Sequence, residues 1–403
     1  MITLGYVDNG SFPLQNPGVV LFTPDDTKAL VLCTTTNAVF VIDPTQNMVV
    51  SQVNAGAFPF SSPSKIDITT DSTKAYVTNT GNNTVSVIDI ATNSVTGYVT
   101  VGAFPFNYPF GVRFTTNGLK AYVANFFGNN VSIIDAATDT VTQYVNAGGF
   151  PFFTPRNLRM IDNTSAYVCN YNAPSASAVS IIDTLTGTVT GYINPNGFPF
   201  SNPEYLFVSF DLQHAYIEDN STDQISIVSI PTNTVTGYIN ATFDGPNSFH
   251  TSFDDTTLYV VNSDINTLSI IDLTTNTQSG VVNSSAFPFS TPVSIDLANV
   301  IAPVISSAPT ALQGFKKQNV FASQTDLINL ITWSPAANIV PVSYYAVYRD
   351  AALTDLADTV QEAGPLEFTE HNRRKGHTYT YYVVAVALNG NVSMPAEVSI
   401  SWK

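Results

Sequence analysis

A set of prolines gives the chain a register: Pro17, Pro63, Pro109, Pro155, Pro203, Pro246 and Pro292. Counting from them brings the residues able to do chemistry into two rows. Two residues after the proline stand Lys65, Asn157 and Tyr205, and four residues after it stand Asp67, Arg113, Arg159, His250 and Asp296. Cationic donors facing carboxylates at a constant spacing suit the capture of an anion, a sugar acid or a partner's carboxylate. Arg156, Glu204 and Tyr108, one residue from their prolines, would form the rim of the same site. A plainer reading stands beside this one: Asp67–Arg113 and Asp296–His250 pairs would neutralise each other and fill a wet channel.

Catalytic constellations are thin. No Gly-rich phosphate loop, G-x-S-x-G or C-x-x-C is present, so no catalytic residue is assigned. The four histidines are scattered, without the tight spacing of a His/Cys zinc site. No cofactor is expected, and a Ca²⁺ held by axial Asp side chains and backbone carbonyls is compatible with the residues. Cys33 and Cys169 fall on distant units and are expected to be buried free thiols.

The elements that position these residues follow from an internal repeat. Phe-Pro-Phe or a relative begins at Phe12, Phe58, Phe104, Phe150, Phe198, Phe243 and Phe287, in steps of 44 to 48 residues. A second anchor keeps the same step: Val41-Ile42-Asp43, Val87-Ile88-Asp89, Ile133-Ile134-Asp135, Ile181-Ile182-Asp183 and Ile270-Ile271-Asp272. Within a unit, runs such as SKIDIT, KAYVTN, TVSVID and SVTGYV alternate in polarity and are rich in Val, Ile, Thr and Tyr, which predicts strands. Four strands per unit of about 45 residues is the arithmetic of a β-propeller blade. Strand alternation then sends the second and fourth residues after each proline to the axis, and the third and fifth between blades.

Six units are complete. The N-terminal Ile2–Val7 has the pattern of an outer strand and Val293–Ala298 that of an inner strand. The expectation is an all-β, seven-bladed propeller over 1–303, its last blade reduced and closed by both chain ends. Six blades with extra edge strands is the alternative.

Tyr76-Val77-Thr78-Asn79 spells YVTN, and Tyr122-Val123-Ala124-Asn125, Tyr167-Val168-Cys169-Asn170 and Tyr259-Val260-Val261-Asn262 are variants. With the VSVID and TGYV runs that follow, residues 1–303 resemble the YVTN family of β-propeller repeat proteins, similar to surface-layer and secreted propellers of bacteria and archaea. The resemblance implies the fold strongly and the function weakly. Lactonase-type propellers set Glu, Asn and Asp of inner strands around a metal. Here Glu204, Asn157, Asp67 and Asp296 are the comparable set, with two Arg among them.

From about Ser307 the repeat stops. Four of eight Lys and three of six Arg lie beyond that point. Residues 307–403 read as an all-β, Ig-like sandwich. They resemble a fibronectin type III module of the kind attached to secreted bacterial carbohydrate-active enzymes. That resemblance would make Trp333 a core residue, Tyr379 the tyrosine-corner residue and Gly390-Asn391-Val392-Ser393 a strand-connecting turn.

Composition bounds the function. The chain has 14 Lys+Arg against 30 Asp+Glu, a net charge of −16 and only 11% charged residues. That leaves no basic footprint for nucleic acid. No run reaches 18 apolar residues, so no membrane-spanning helix is expected. No signal peptide is visible at the start. The Thr/Ser/Asn-rich, Lys-poor composition suits an extracellular, cell-surface or periplasmic protein. The expected function is non-catalytic: a scaffold that binds a protein or glycan partner at the tunnel mouth. The alternative is a lactonase-like hydrolase acting on an anionic sugar-derived substrate in the tunnel.

Overall fold

A computed structural model describes residues 7, 11–12, 14–174, 178–282, 290, 292–297, 309–320, 325–335, 342–351, 353–361, 365–387, 393 and 395–403. Every strand and turn described is β or irregular. The chain divides into two compact units, Met1–Ala298 and Asn299–Lys403.

The first unit contains six four-stranded antiparallel sheets among its described residues, each a meander in chain order. The first is Pro17–Phe22, Ala29–Cys33, Ala38–Asp43 and Met48–Gln52. The inner strands of the others are Pro63–Ile68, Pro109–Phe114, Pro155–Met160, Pro203–Val208 and Pro246–Thr251. Consecutive inner strands are neighbours, so the sheets stand side by side like the blades of a propeller. Each inner strand opens with a register shift just after its proline. Pro has no N–H for the ladder, and the irregularity accommodates that loss.

The repeat letters now have physical roles. Tyr76, Tyr122 and Tyr167 are fully buried. Each sends its hydroxyl into the turn of the next unit: Tyr76 to Asp139 Oδ1 at 2.5 Å, Tyr122 to the Thr184 carbonyl at 3.0 Å, Tyr167 to Asn233 Oδ1. Lys28 and Lys74, at one repeated turn position, are half-buried and reach such turns as well. Lys74 Nζ bonds Asp139 at 2.7 Å and Lys28 Nζ bonds Asn93 at 2.9 Å. They are blade-to-blade ties, because their long stems cover apolar surface while the ammonium finds turn oxygens.

The Phe-Pro-Phe connectors pack at blade junctions. The first Phe stacks edge-on against an outer-strand Tyr, as in Phe58–Tyr98, Phe104–Tyr144 and Phe198–Tyr238 at 5.3 Å. The second, at Phe60, Phe106, Phe152 and Phe200, is buried. Burying each such side chain contributes about 1.5–3 kcal/mol, which is reason enough for the motif's recurrence.

The terminal Asn of the YVTN run does more than cap a turn. Asn125 Oδ1 accepts the Asn107 N–H of the incoming connector at 3.2 Å, and its Nδ2 donates to Ser132 Oγ at 2.8 Å. Asn79 and Asn170 repeat this pair of bonds. Where the connector degenerates to FDGP, Asn262 Oδ1 has no partner among the described residues. In the fifth unit Asp219 replaces the Asn. It still accepts from the connector at Ser201 and Asn202, but a carboxylate cannot donate, and Ser226 Oγ is left buried without a partner.

Pro292–Leu297 lies between the first and sixth sheets. Asp296 Oδ2 accepts the Phe22 N–H at 2.8 Å, as Asp67 Oδ2 accepts the Phe114 N–H at 2.7 Å. The segment therefore stands to the first inner strand as the second does to the third. Ile2–Tyr6, 283–289 and 299–306, which bear on the closing blade, lie outside the described residues.

The second unit has a three-stranded sheet, Thr310–Val320, Thr325–Ser334 and Glu367–Glu370, and a four-stranded sheet in the order Leu356–Gln361, Val342–Tyr348, Thr378–Ala387, Ala396–Ser401. Both contribute to one apolar cluster around Ile331, Trp333, Tyr345, Phe368, Tyr381 and Val383. Tyr379 packs against that cluster and its hydroxyl accepts the Arg374 N–H at 3.0 Å. A buried polar chain runs from Trp402 Nε1 to Asn329 and on to the Tyr381 hydroxyl. The residues 390–392 of the expected turn lie outside the described residues.

Two substitutions test the connector bonds. Asn125→Ala strands several buried groups and should cost about 2 kcal/mol. Asp219→Asn restores the missing donor to Ser226 and should add about 1 kcal/mol. Urea unfolding of both variants reads the two signs; a destabilised Asp219→Asn would contradict the role given to the amide.

Candidate functional site

The two rows of residues counted from the prolines do converge. Lys65, Asn157, Tyr205, Ser248 and Ser294 and, deeper, Arg113, Arg159, His250 and Asp296 line one narrow cavity on the axis of the first unit. Its volume is about 50 Å³, room for a few waters. Alternation works as expected: Ile66, Ile68, Val112 and Phe114 are buried between sheets. Above the cavity lies a wider mouth of about 340 Å³, bordered by Lys65, Tyr108, Phe110, Glu204 and Tyr205. Lys65 belongs to both spaces.

At the mouth, Arg156 is held on three sides. Its guanidinium lies 4.8 Å from the ring centres of both Phe110 and Tyr171, and its Nη2 pairs with Glu204 Oε1 at 2.7 Å. Burial raises the Glu204 carboxyl pKa, and Arg156 and Lys65 pull it back. Asn157 Nδ2 fixes the same strand by donating to the Glu204 carbonyl at 2.8 Å. Phe126, Phe127, Tyr108 and Tyr171 continue the aromatic surface, with Tyr108 and Phe127 rings 4.7 Å apart. Phe127 is 61% exposed. The aromatic rim is thus built by these residues and not by the Phe-Pro-Phe connectors.

Lys65 has no hydrogen-bond acceptor for its ammonium among the described residues. It sits over Phe110 at 5.9 Å and Tyr205 at 5.7 Å. Loss of hydration lowers its pKa to about 8, helped by Arg113 and Arg156 and opposed by Glu204 and Glu218.

Deeper in, Arg113 Nη1 pairs with Asp67 Oδ1 at 3.0 Å, and the Asp67 carboxylate has its second oxygen engaged by the Phe114 N–H. Arg113 Nε is buried without a partner. Arg159 lies 4.7 Å over the Phe207 ring and makes no hydrogen bond among the described residues. Burial and the neighbouring Arg113 lower its pKa to about 10, so it stays cationic at neutral pH.

His250 departs from the donor role expected of it. Its Nδ1 faces the Thr251 carbonyl at 2.7 Å and carries the proton. Burial lowers its pKa to about 4, so the ring is neutral and Nε2 is an acceptor. The 3.5 Å approach of Nε2 to Asp296 Oδ1 is therefore no ion pair at neutral pH. Burial lifts Asp296 to about 6, against the Phe22 N–H and the two nearby arginines.

One acidic pair escaped the sequence reading. Glu218 and Asp219 are buried at the end of a central strand where other units have Thr78-Asn79 or Ala124-Asn125. Glu218 Oε2 accepts the Tyr205 N–H at 3.1 Å, and its Oε1 has no partner. Burial and the nearby Glu204 drive its carboxyl pKa well upward. The signal was visible as YIED interrupting the YVTN pattern.

A divalent metal does not fit this arrangement. The Asp67 oxygens are engaged by Arg113 and Phe114, Glu204 is engaged by Arg156, and Lys65 and Arg159 stand beside them. Among the described residues no three His, Cys, Asp or Glu side chains gather as a metal would need. Cys33 and Cys169 are buried and free. Among the described residues no helix is long and apolar enough to cross a membrane.

Comparison with solved structures places a chain of hydrazine synthase from Kuenenia stuttgartiensis beside this one, with a TM-score of 0.53 at 17% identity, covering 68% of this chain and 80% of that one. The likeness is one of fold. It fits the repeated four-stranded sheets to a β-propeller. No protein-family model matches the sequence, and no curated protein does.

Asp296 makes a pH prediction. Its folded pKa is raised, so between about pH 4 and 6 the folded state holds a proton that the unfolded state has lost. Its contribution is present at the acid end of that window and is lost as pH rises through 6. Turn carboxylates such as Asp71 and Asp89 are lowered by hydrogen bonds and act below that window, with the opposite sign. His250, its pKa lowered to about 4, acts across the same window with the opposite sign, so Asp296→Asn should raise stability at pH 6 relative to pH 4 by on the order of 2 kcal/mol more than in the unaltered protein, read from urea midpoints. An unchanged pH profile would contradict the buried carboxyl.

Proposed function

We propose that the protein is a secreted or cell-surface, non-catalytic binding scaffold whose ligand is a glycan held at the tunnel mouth. One observation carries this reading. The mouth, of about 340 Å³, joins an exposed aromatic rim to an ammonium, Lys65, that lacks an acceptor among the described residues. Flat rings stack on sugar faces, and a half-buried ammonium without a hydrogen-bond acceptor favours a sugar carrying a carboxylate. The narrow axial cavity is too small for a sugar ring, which moves the ligand from the tunnel to its mouth.

The finer identity of both units belongs to the same proposal. A seven-bladed, YVTN-type propeller is supported by the repeat and by the Asp296–Phe22 bond that copies Asp67–Phe114. A fibronectin type III-like sandwich is supported by the two sheets around Trp333 and by the Tyr379 hydroxyl on the Arg374 N–H. Such a module would serve as spacer or partner-binding domain. A Lys-poor surface rich in Thr, Ser and Asn supports an extracellular setting.

A second reading rests on the half-buried Glu204 and the buried Glu218, two carboxyls with raised pKa near the mouth. A protonated carboxyl beside an ionised one is the equipment of acid–base hydrolysis. This is the lactonase-like alternative, acting on an anionic sugar-derived substrate.

The test is a glycan array followed by titration calorimetry. Carboxylate-bearing glycans should bind. Phe127→Ala, at an exposed position, should weaken binding at least tenfold, and Lys65→Met should abolish the preference for the carboxylate. Binding that ignores both substitutions, or a glycan-free protein partner captured at the same rim, would overturn the glycan reading. Turnover of a bound lactone that is lost in Glu204→Gln would establish the alternative.

A further inference from the structure

The narrow cavity on the axis is lined by more positive than negative charge. Lys65, Arg113 and Arg159 line it, against Asp296 as the one lining carboxylate. Asp67 stands behind Arg113 and is fully engaged by Arg113 and the Phe114 N–H. His250 contributes no charge at neutral pH, because its Nδ1 is bonded to Thr251 and its ring is neutral. Three cations against two carboxylates leave an excess of about one positive charge.

That excess has a location. Arg113 and Arg159 occupy the same position on adjacent inner strands, Pro109–Phe114 and Pro155–Met160. Both are half-buried, and the Arg113 charge lowers the Arg159 pKa. Arg159 has no hydrogen-bond acceptor among the described residues, although five N–H donors leave a guanidinium. The Phe207 ring covers one face, and the Asp67 and Asp296 carboxylates act on the guanidinium without an ion pair to it among the described residues. An isolated charge out of water is costly, and buried cations are normally paired. Two adjacent guanidiniums with one committed carboxylate between them call for a further anion.

The space selects its size. The cavity measures about 50 Å³. That volume takes a monoatomic anion with one or two waters and excludes a sugar acid. Asn157, Ser248 and Ser294 add amide and hydroxyl groups to the wall. We propose that the axial cavity is a buried site for one small monovalent anion of the halide class, chloride in physiological media, bound against Arg159 and Arg113. The anion would tie the third and fourth inner strands together and act as a structural ion. This inference does not rest on the mouth ligand, which lies outside the cavity.

Thermal unfolding at constant ionic strength tests it, with sodium gluconate exchanged stepwise for sodium chloride or bromide. A specific site gives a midpoint that rises by a few degrees and saturates with halide, by mass action on the folded state. Arg159→Gln should remove the halide-specific rise, whereas Phe127→Ala should keep it while losing the mouth ligand. Where Arg159→Gln does not fold, crystals of the unaltered protein soaked in bromide give the answer. An anomalous peak within hydrogen-bonding distance of the Arg159 guanidinium is expected. Equal midpoints in gluconate and halide, or a bromide map with no peak on the axis, would overturn the proposal.

Discussion

A guanidinium or ammonium taken out of water has to find acceptors, and the axis of the first unit supplies too few. Everything distinctive about the site follows from that shortage. Inner strands run side by side, so every second residue of each is forced towards one line. In a chain with so few charges, placing Lys65, Arg113, Arg156 and Arg159 on those strands concentrates almost all of the unit's desolvated positive charge in one place. Arg113 and Arg156 are matched by Asp67 and Glu204. Lys65 and Arg159 have aromatic rings in place of carboxylates. Ring faces offset part of the cost of desolvation, on the order of 1–2 kcal/mol each, and leave the hydrogen-bonding capacity unused. That unused capacity is what a ligand meets.

The surrounding sheets make the shortage tolerable by being rigid. Tyr76, Tyr122 and Tyr167 lock each unit to the turn of the next, and buried Asn side chains lock each connector to a central strand. These ties sit far from the axis. They hold the inner strands at a fixed spacing, so the cations cannot move apart to relax their repulsion. A looser ring would let water in and restore ordinary ionisation to Lys65 and Asp296. The perturbed groups therefore report on closure of the whole unit as much as on local packing.

Much of this was legible in the residues alone. The proline register placed Lys65, Asp67, Arg113, Asn157, Arg159, Tyr205, His250 and Asp296 on one axis, because strand alternation is a short-range rule that survives folding. The pairing of Arg113 with Asp67 also followed from register. What the register could not supply was distance and burial. It could not tell that Nδ1 of His250 is taken by Thr251, or that Arg159 would meet Phe207 instead of a carboxylate. Phe126 and Phe127 were hidden for another reason. They sit in a turn, where no period constrains residue type, whereas the Phe-Pro-Phe connectors that the repeat does reveal pack at blade junctions. Glu218 shows the reverse case: its signal was a break in a repeat, and reading the repeat for its consensus passes over the break.

Lys65 carries the central claim, since it borders both the mouth and the axial cavity. The most direct measurement is its ionisation, followed by the ¹³Cε shifts of lysine-labelled protein titrated in halide-free buffer. One lysine resonance, absent in Lys65→Met, is expected to titrate apart from the rest with its midpoint near 8. If every lysine titrates together at the exposed value, Lys65 is hydrated or paired, and the desolvated cation on the axis does not exist.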